Sequence, residues 1–164
     1  MGHNITAIVL RDVFEPEVVR ALDLVAVPIA SPLTLFHIDH YYTAYWQAVR
    51  GCVTELDVPA GFPGVFPREG IVVQLVAELT GLDAPRFALI QTEYFGGAGG
   101  QWACAFTGER CETGTAATIN AALRTLGVIR RGALDEFDTV GLGAHRSSPD
   151  YLTRYVGLCD ELGV

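Results

Sequence analysis

The sequence predicts an α+β fold, a single compact domain over residues 1–164 with a mixed or antiparallel sheet packed by four to five helices. Short β-branched apolar runs are interspersed with segments whose apolar residues recur at helical spacing, without the strict alternation of a βαβ protein. Residues 86–107 read as a hairpin, two strands meeting at Gly-Gly-Ala-Gly-Gly. Half of the residues are apolar and the mean hydropathy is positive, so 164 residues can bury a core without metal or disulfide staples. No internal repeat, linker or low-complexity stretch divides the chain.

In order along the chain, residues 5–10 are β-branched and apolar, and read as a strand. Glu15-Pro16-Glu17 places proline in a first helical turn beside acids, with Val18, Val19 and Leu22 as a short stripe. Residues 24–29 and 33–38 are two further strands joined by Ala30-Ser31-Pro32. Asp39 suits the N-cap of a helix reaching about Arg50, stopped by Gly51. Six prolines and glycines make 52–70 a long irregular connection, and such loops are functional or disordered more often than not. Ile71, Val72, Leu75, Val76 and Leu79 then trace a helix closed by Gly81. A further helix is expected over about 115–126, a short strand and turn over 135–143, and a last helix opened by Ser148 as cap and Pro149 as first residue. Its stripe would be Leu152, Tyr155, Val156 and Cys159.

Composition removes whole functional classes. The formal charge is −8, which argues against a nucleic-acid partner and suits solubility or docking on a basic protein. All eleven basic residues are arginine, so phosphate-loop, Schiff-base and kinase-type lysines are impossible. With its many Ala, Gly, Val and Arg residues, this composition points to a GC-rich bacterial genome. No apolar run approaches the roughly 18 residues of a membrane span, and the first residues lack the form of a secretory signal. The four cysteines, with no C-x-x-C pair, are therefore expected as reduced thiols of a cytoplasmic protein, with no cofactor and no metal.

The hairpin is the most informative feature. With Gly96–Gly100 as a five-residue loop, Tyr94 faces Trp102, Thr92 faces Cys104 and Ile90 faces Phe106. The other face then pairs Phe95 with Gln101, Glu93 with Ala103 and Gln91 with Ala105. Those alanines leave room for another backbone or a small ligand over Glu93. Gly96, Gly97, Gly99 and Gly100, with Gln101, form either an anion nest or a tight turn covered by another segment of the chain, and covering is the plainer reading. A strand follows the glycines where a dinucleotide fingerprint requires a helix.

Other constellations are weaker. His37-Ile38-Asp39-His40 could ligate zinc or iron with Glu93 or His145 as a third ligand, but Asp39 is wanted as a helix cap and no zinc-motif spacing is present. Cys104 could pair with His145 as a nucleophile and base, yet a cysteine alternating with Trp102 and Phe106 belongs in a core. None of the three serines sits in a G-x-S-x-G elbow. Asp135, Glu136 and Asp138 lack calcium-loop spacing. Tyr41-Tyr42-x-x-Tyr45-Trp46 puts aromatics on two helix faces, of which one is spare. Tyr42, Trp46, Phe62 and Phe66 are thus candidates for an interface.

Two functions follow. One is a non-enzymatic interaction module that binds a protein partner, as immunity proteins do, an analogy of composition alone; self-association as a homodimer is compatible with it. The other is a small enzyme or ligand binder, with Glu93 as acid or base beside His37 and His40 and with the loop amides holding an anion or carbonyl oxygen.

Overall fold

The computed structural model of the chain describes residues 2–114 and 116–164. Strand β1 (His3–Leu10) leads to α1 (Pro16–Ala21), β2 (Val27–Pro28), β3 (Thr34–His37), α2 (His40–Val49) and α3 (Ile71–Thr80). The hairpin β4 (Arg86–Phe95) and β5 (Ala98–Thr107) follows, then β6 (Arg110–Cys111), α4 (Ile119–Thr125), α5 (Glu136–Val140) and α6 (Arg154–Leu162). Six strands form one sheet in the order β2-β3-β1-β4-β5-β6, and every neighbouring pair is antiparallel. The molecule is a single compact α+β domain.

The apolar runs of β1 and β4 are nearly unbroken because both sheet faces are covered. On one face Ile8, Leu10, Phe36, Phe87, Leu89, Cys104 and Phe106 pack with buried residues of α1, α2, α3 and α6. On the other, Ile5, Ala7, Val9, Ala88, Ile90, Ala103 and Ala105 pack with Ile119, Ala122 and Leu123 of α4 and with Val140 and Leu142. The alanines do leave room for a backbone, and α4 takes it.

Local signals place several elements as expected. The Asp39 carboxylate accepts the Tyr42 N–H at 2.8 Å and starts α2. Gly81 closes α3 in the left-handed conformation. Residues 52–70 stay irregular, tied by an isolated bridge between Glu55 and Glu69.

Other expectations are corrected. Among the described residues the helices number six, with two short 3₁₀ turns besides, where four to five were expected. The strand expected over 135–143 is helix: Asp135 caps the Asp138 N–H, acids sit in the first turn where the helix dipole favours them, and Gly141 ends it. Pro149 precedes a 3₁₀ turn (Asp150–Thr153) that no side chain caps, so Ser148 is not a cap and α6 begins only at Arg154. Of residues 24–29 only Val27 and Pro28 pair, on an edge where proline's missing N–H is tolerated. Val156 lies outside the apolar stripe and is 41% exposed. The expected start of α4 at Thr115 lies outside the described residues, and the observed helix starts after Thr118, whose hydroxyl accepts the Ala121 N–H.

The hairpin register differs most. Gly96 and Gly97, both with positive φ (60° and 82°), make a two-residue turn of the primed kind that matches strand twist, and Phe95 pairs with Ala98. Trp102 therefore faces Gln91, Cys104 faces Leu89 and Phe106 faces Phe87, three residues away from the expected partners. An odd displacement changes the face each partner shares. Glu93 and Ala103 consequently point to opposite sides of the sheet.

The tight seating of α4 sets a testable cost. Ala105→Leu should destabilise the fold by about 1–3 kcal/mol through overpacking, whereas Val156→Ser on the exposed face of α6 should stay within about 0.5 kcal/mol; urea unfolding of both variants measures the contrast.

Candidate functional site: a groove at the glycine end of the sheet

β3 pairs only with residues 7–10 of β1, which leaves the first half of β1 without that neighbour. Residues 146–147 take its place: the Asn4 N–H donates to the Arg146 carbonyl at 2.7 Å, and Asn4 and Ser147 form a parallel bridge. Asn4 pairs with Glu93, and Glu93 with Gly100. Ser147, Asn4, Glu93 and Gly100 thus stand in one row across the sheet, with their side-chain positions on one face. The next row inward is Thr6, Gln91 and Trp102.

Glycine is required at Gly99, and at Gly100 it gives a neighbouring side chain room. At Gly99, with φ 144°, a Cβ would collide with the Glu93 carbonyl. At Gly100 a Cβ would stand 2.8 Å from the indole of Trp102, which folds back over that empty position. The result is a groove of about 810 Å³ walled by Gly2, Asn4, Glu93, Trp102, Arg146 and Ser147 beside the two glycines. Arg146 is held on the far wall by carbonyl oxygens, donating to Gly143 at 3.2 Å and reaching Gly2 at 3.5 Å.

Of the expected ligand-binding residues, Gly99 and Gly100 line this groove, while Gly96 and Gly97 form the turn. Gln101 is on the opposite face, where its side-chain oxygen accepts the Ile119 N–H at 2.9 Å and its amide nitrogen donates to the Tyr94 hydroxyl at 3.2 Å. It caps α4 and is taken up by the fold.

Of the expected acid/base set, Glu93 and His37 are not brought together. Glu93 is exposed on the groove face, whereas His37 pairs with Ala7 and is buried on the other. Their Cα atoms are two strands apart and three residues out of step, about 14 Å by sheet spacings. His40 begins α2 with its ring 4.0 Å from that of Tyr41. Burial lowers the His37 pKa from 6.5, and positive charge on nearby His145 lowers it further. The ring Nε2 of His37 has no hydrogen-bond partner among the described residues, and its carbonyl accepts the Tyr151 hydroxyl at 2.9 Å. Burial also raises the pKa of Asp39 against the Tyr42 N–H that stabilises its charge.

Cys104 packs on the face opposite His37, and burial, followed by neighbouring Cys111, pushes its thiol up to about 12, so it is no thiolate at neutral pH. Among the described residues no three His, Cys, Asp or Glu side chains gather to hold a metal, and no helix is long and apolar enough to cross a membrane. The expected aromatic interface is core. Tyr42 is fully buried and donates to the Leu22 carbonyl at 2.6 Å, Phe62 and Phe66 pack edge to face at 4.9 Å, and partly buried Trp46 lies against Tyr42 and Tyr45.

Sequence reasoning missed Asn4, Arg146 and Ser147 as groove residues and gave Trp102 only a core role. The 4–147 bridge spans nearly the whole chain, and no local pattern announces it. Compared with known proteins, the chain matches no family model, no curated protein and no solved structure.

The state of His37 gives a pH prediction. Between its lowered folded pKa and 6.5 the unfolded chain binds the proton and the folded one does not, so stability falls as pH drops below about 6.5. Urea unfolding from pH 7.5 to 5.5 should show a smaller decline in His37→Gln than in the unsubstituted chain.

Proposed function

We propose that the chain is a non-enzymatic protein-interaction module that docks a partner segment on the glycine end of its sheet. The groove carries this reading. It joins an aromatic wall and polar side chains to a hairpin tip whose Phe95 is 86% exposed, and a partly aromatic surface with polar surroundings is what protein interfaces use. An acid/base site lacks comparable support, because Glu93 and His37 lie on opposite faces of the sheet. The formal charge of −8 favours a basic partner by steering its approach. Binding that neutralises such a partner, in the manner of immunity proteins, suits this design and rests on composition. A second reading, a small-ligand binder, draws on the volume, which lies within the roughly 300–1,000 Å³ of small-molecule sites.

A photo-crosslinking residue at position 95 tests the proposal, with one at Val13 as control. Val13 is equally open, 87% exposed, and follows the far end of β1. In the host cell, position 95 should crosslink to one defined protein and position 13 should not. A crosslink to a second copy would make the partner the chain itself. Equal crosslinking from both positions, or none from 95, overturns the proposal.

A further inference from the structure

We infer that the groove is a receptor for a guanidinium group, an arginine side chain of a basic partner held flat on the Trp102 indole with its N–H fork on the Glu93 carboxylate. The partner as source of that arginine rests on the interaction-module reading; the cation chemistry rests on the groove.

Two observations converge. Glu93 stands in the row with Gly100, over which Trp102 folds, so the carboxylate and the indole border the same space. Among the described residues Glu93 joins none of the ion pairs, which link Arg50 to Glu78, Arg110 to Glu112, Arg124 to Glu136 and Arg154 to Asp23. Its charge is therefore free to attract a cation from outside.

The second is the indole itself: it lies 2.8 Å from where a Gly100 Cβ would stand, and partly buried Trp102 presents it on the groove wall. An indole face attracts cations through its quadrupole, more strongly where water is partly excluded.

One row inward, Gln91 is buried behind the groove and does not line it. A carboxylate and an aromatic face on one wall together favour a cation that can both stack and donate hydrogen bonds.

Arg146 shares the groove wall, but its guanidinium is engaged by the Gly143 and Gly2 carbonyls and forms no ion pair with Glu93. Arginine fits better than lysine, because a planar guanidinium stacks on the indole and offers two parallel N–H groups to a carboxylate.

Amide-resolved NMR titration of the intact chain with Ac-Gly-Arg-Gly-NH₂, and with its neutral citrulline counterpart, tests the inference. The arginine peptide should shift the Trp102 indole N–H and the Gly99 and Gly100 amides, and the citrulline peptide should bind about tenfold more weakly, the scale of a partly desolvated cation–π contact with a charge partner. Glu93→Gln, a change at an exposed position, should reduce arginine binding by a similar factor, and Trp102→Leu, checked for a folded spectrum, should abolish it. Equal binding of the two peptides, full affinity in Glu93→Gln, or shifts centred away from the groove would overturn the inference. Arginine binding without a crosslinked partner at position 95 leaves the cation receptor standing and removes the interaction module. A crosslinked partner without arginine preference does the reverse.

Discussion

The eight-residue pairing of β1 with β4 is the contact on which the other elements depend. It runs from His3 opposite Tyr94 to Leu10 opposite Phe87, at the centre of the sheet. Both strands bury side chains on both faces, and each face carries its own cluster. Shifting the pairing by one residue would exchange the two sets, driving Ile8 and Leu10 into the alanine-lined face under α4. Register is thus fixed by mismatched volumes: aromatics and leucines on one side, alanines set among Ile5, Val9 and Ile90 on the other. The helices follow from this asymmetry, since α4 can approach only where Ala88, Ala103 and Ala105 make room.

The same pairing creates the groove. β3 covers residues 7–10 of β1 and stops, and the chain returns to β1 only at residues 146–147. A sheet flanked by two different segments along one strand has a step where they meet, and the step lies at the glycine end. The hairpin turn completes it. Because Gly96 and Gly97 close the loop in two residues, Gly99 and Gly100 belong to β5, where their missing side chains let Trp102 fold over and leave the row open above Glu93.

Much of this fold was legible locally. The strand at β1, the Asp39 cap, the α3 stripe with its Gly81 stop and the existence of the hairpin follow from patterns a few residues wide. Errors arose where two local signals competed. Four glycines in five positions read as one loop, although two suffice for a primed turn and the others serve a close approach visible only once Trp102 is placed. Asp135 with Glu136 and Asp138 fell in the strand and turn expected over 135–143, although an N-cap and an acidic first turn equally describe a helix start. At the site, Glu93, Gly99 and Gly100 were legible. Asn4 and Ser147 were not, since their partnership depends on a contact across nearly the whole chain.

The separation of His37 from Glu93 has a physical logic that bears on function. A sheet buried on both faces partitions its side chains strictly, and residues of unlike parity on paired strands cannot share a site unless the strands bulge. His37 shares a face with Ala7, whereas Glu93 shares one with Asn4. The continuous registers of β1, β3 and β4 leave no bulge to bring the imidazole through. Burial favours the neutral imidazole of His37, while the Glu93 carboxylate on the other face lies at an open surface. One acts inward on stability and the other outward on whatever approaches, beside the Trp102 indole and across the groove from Arg146.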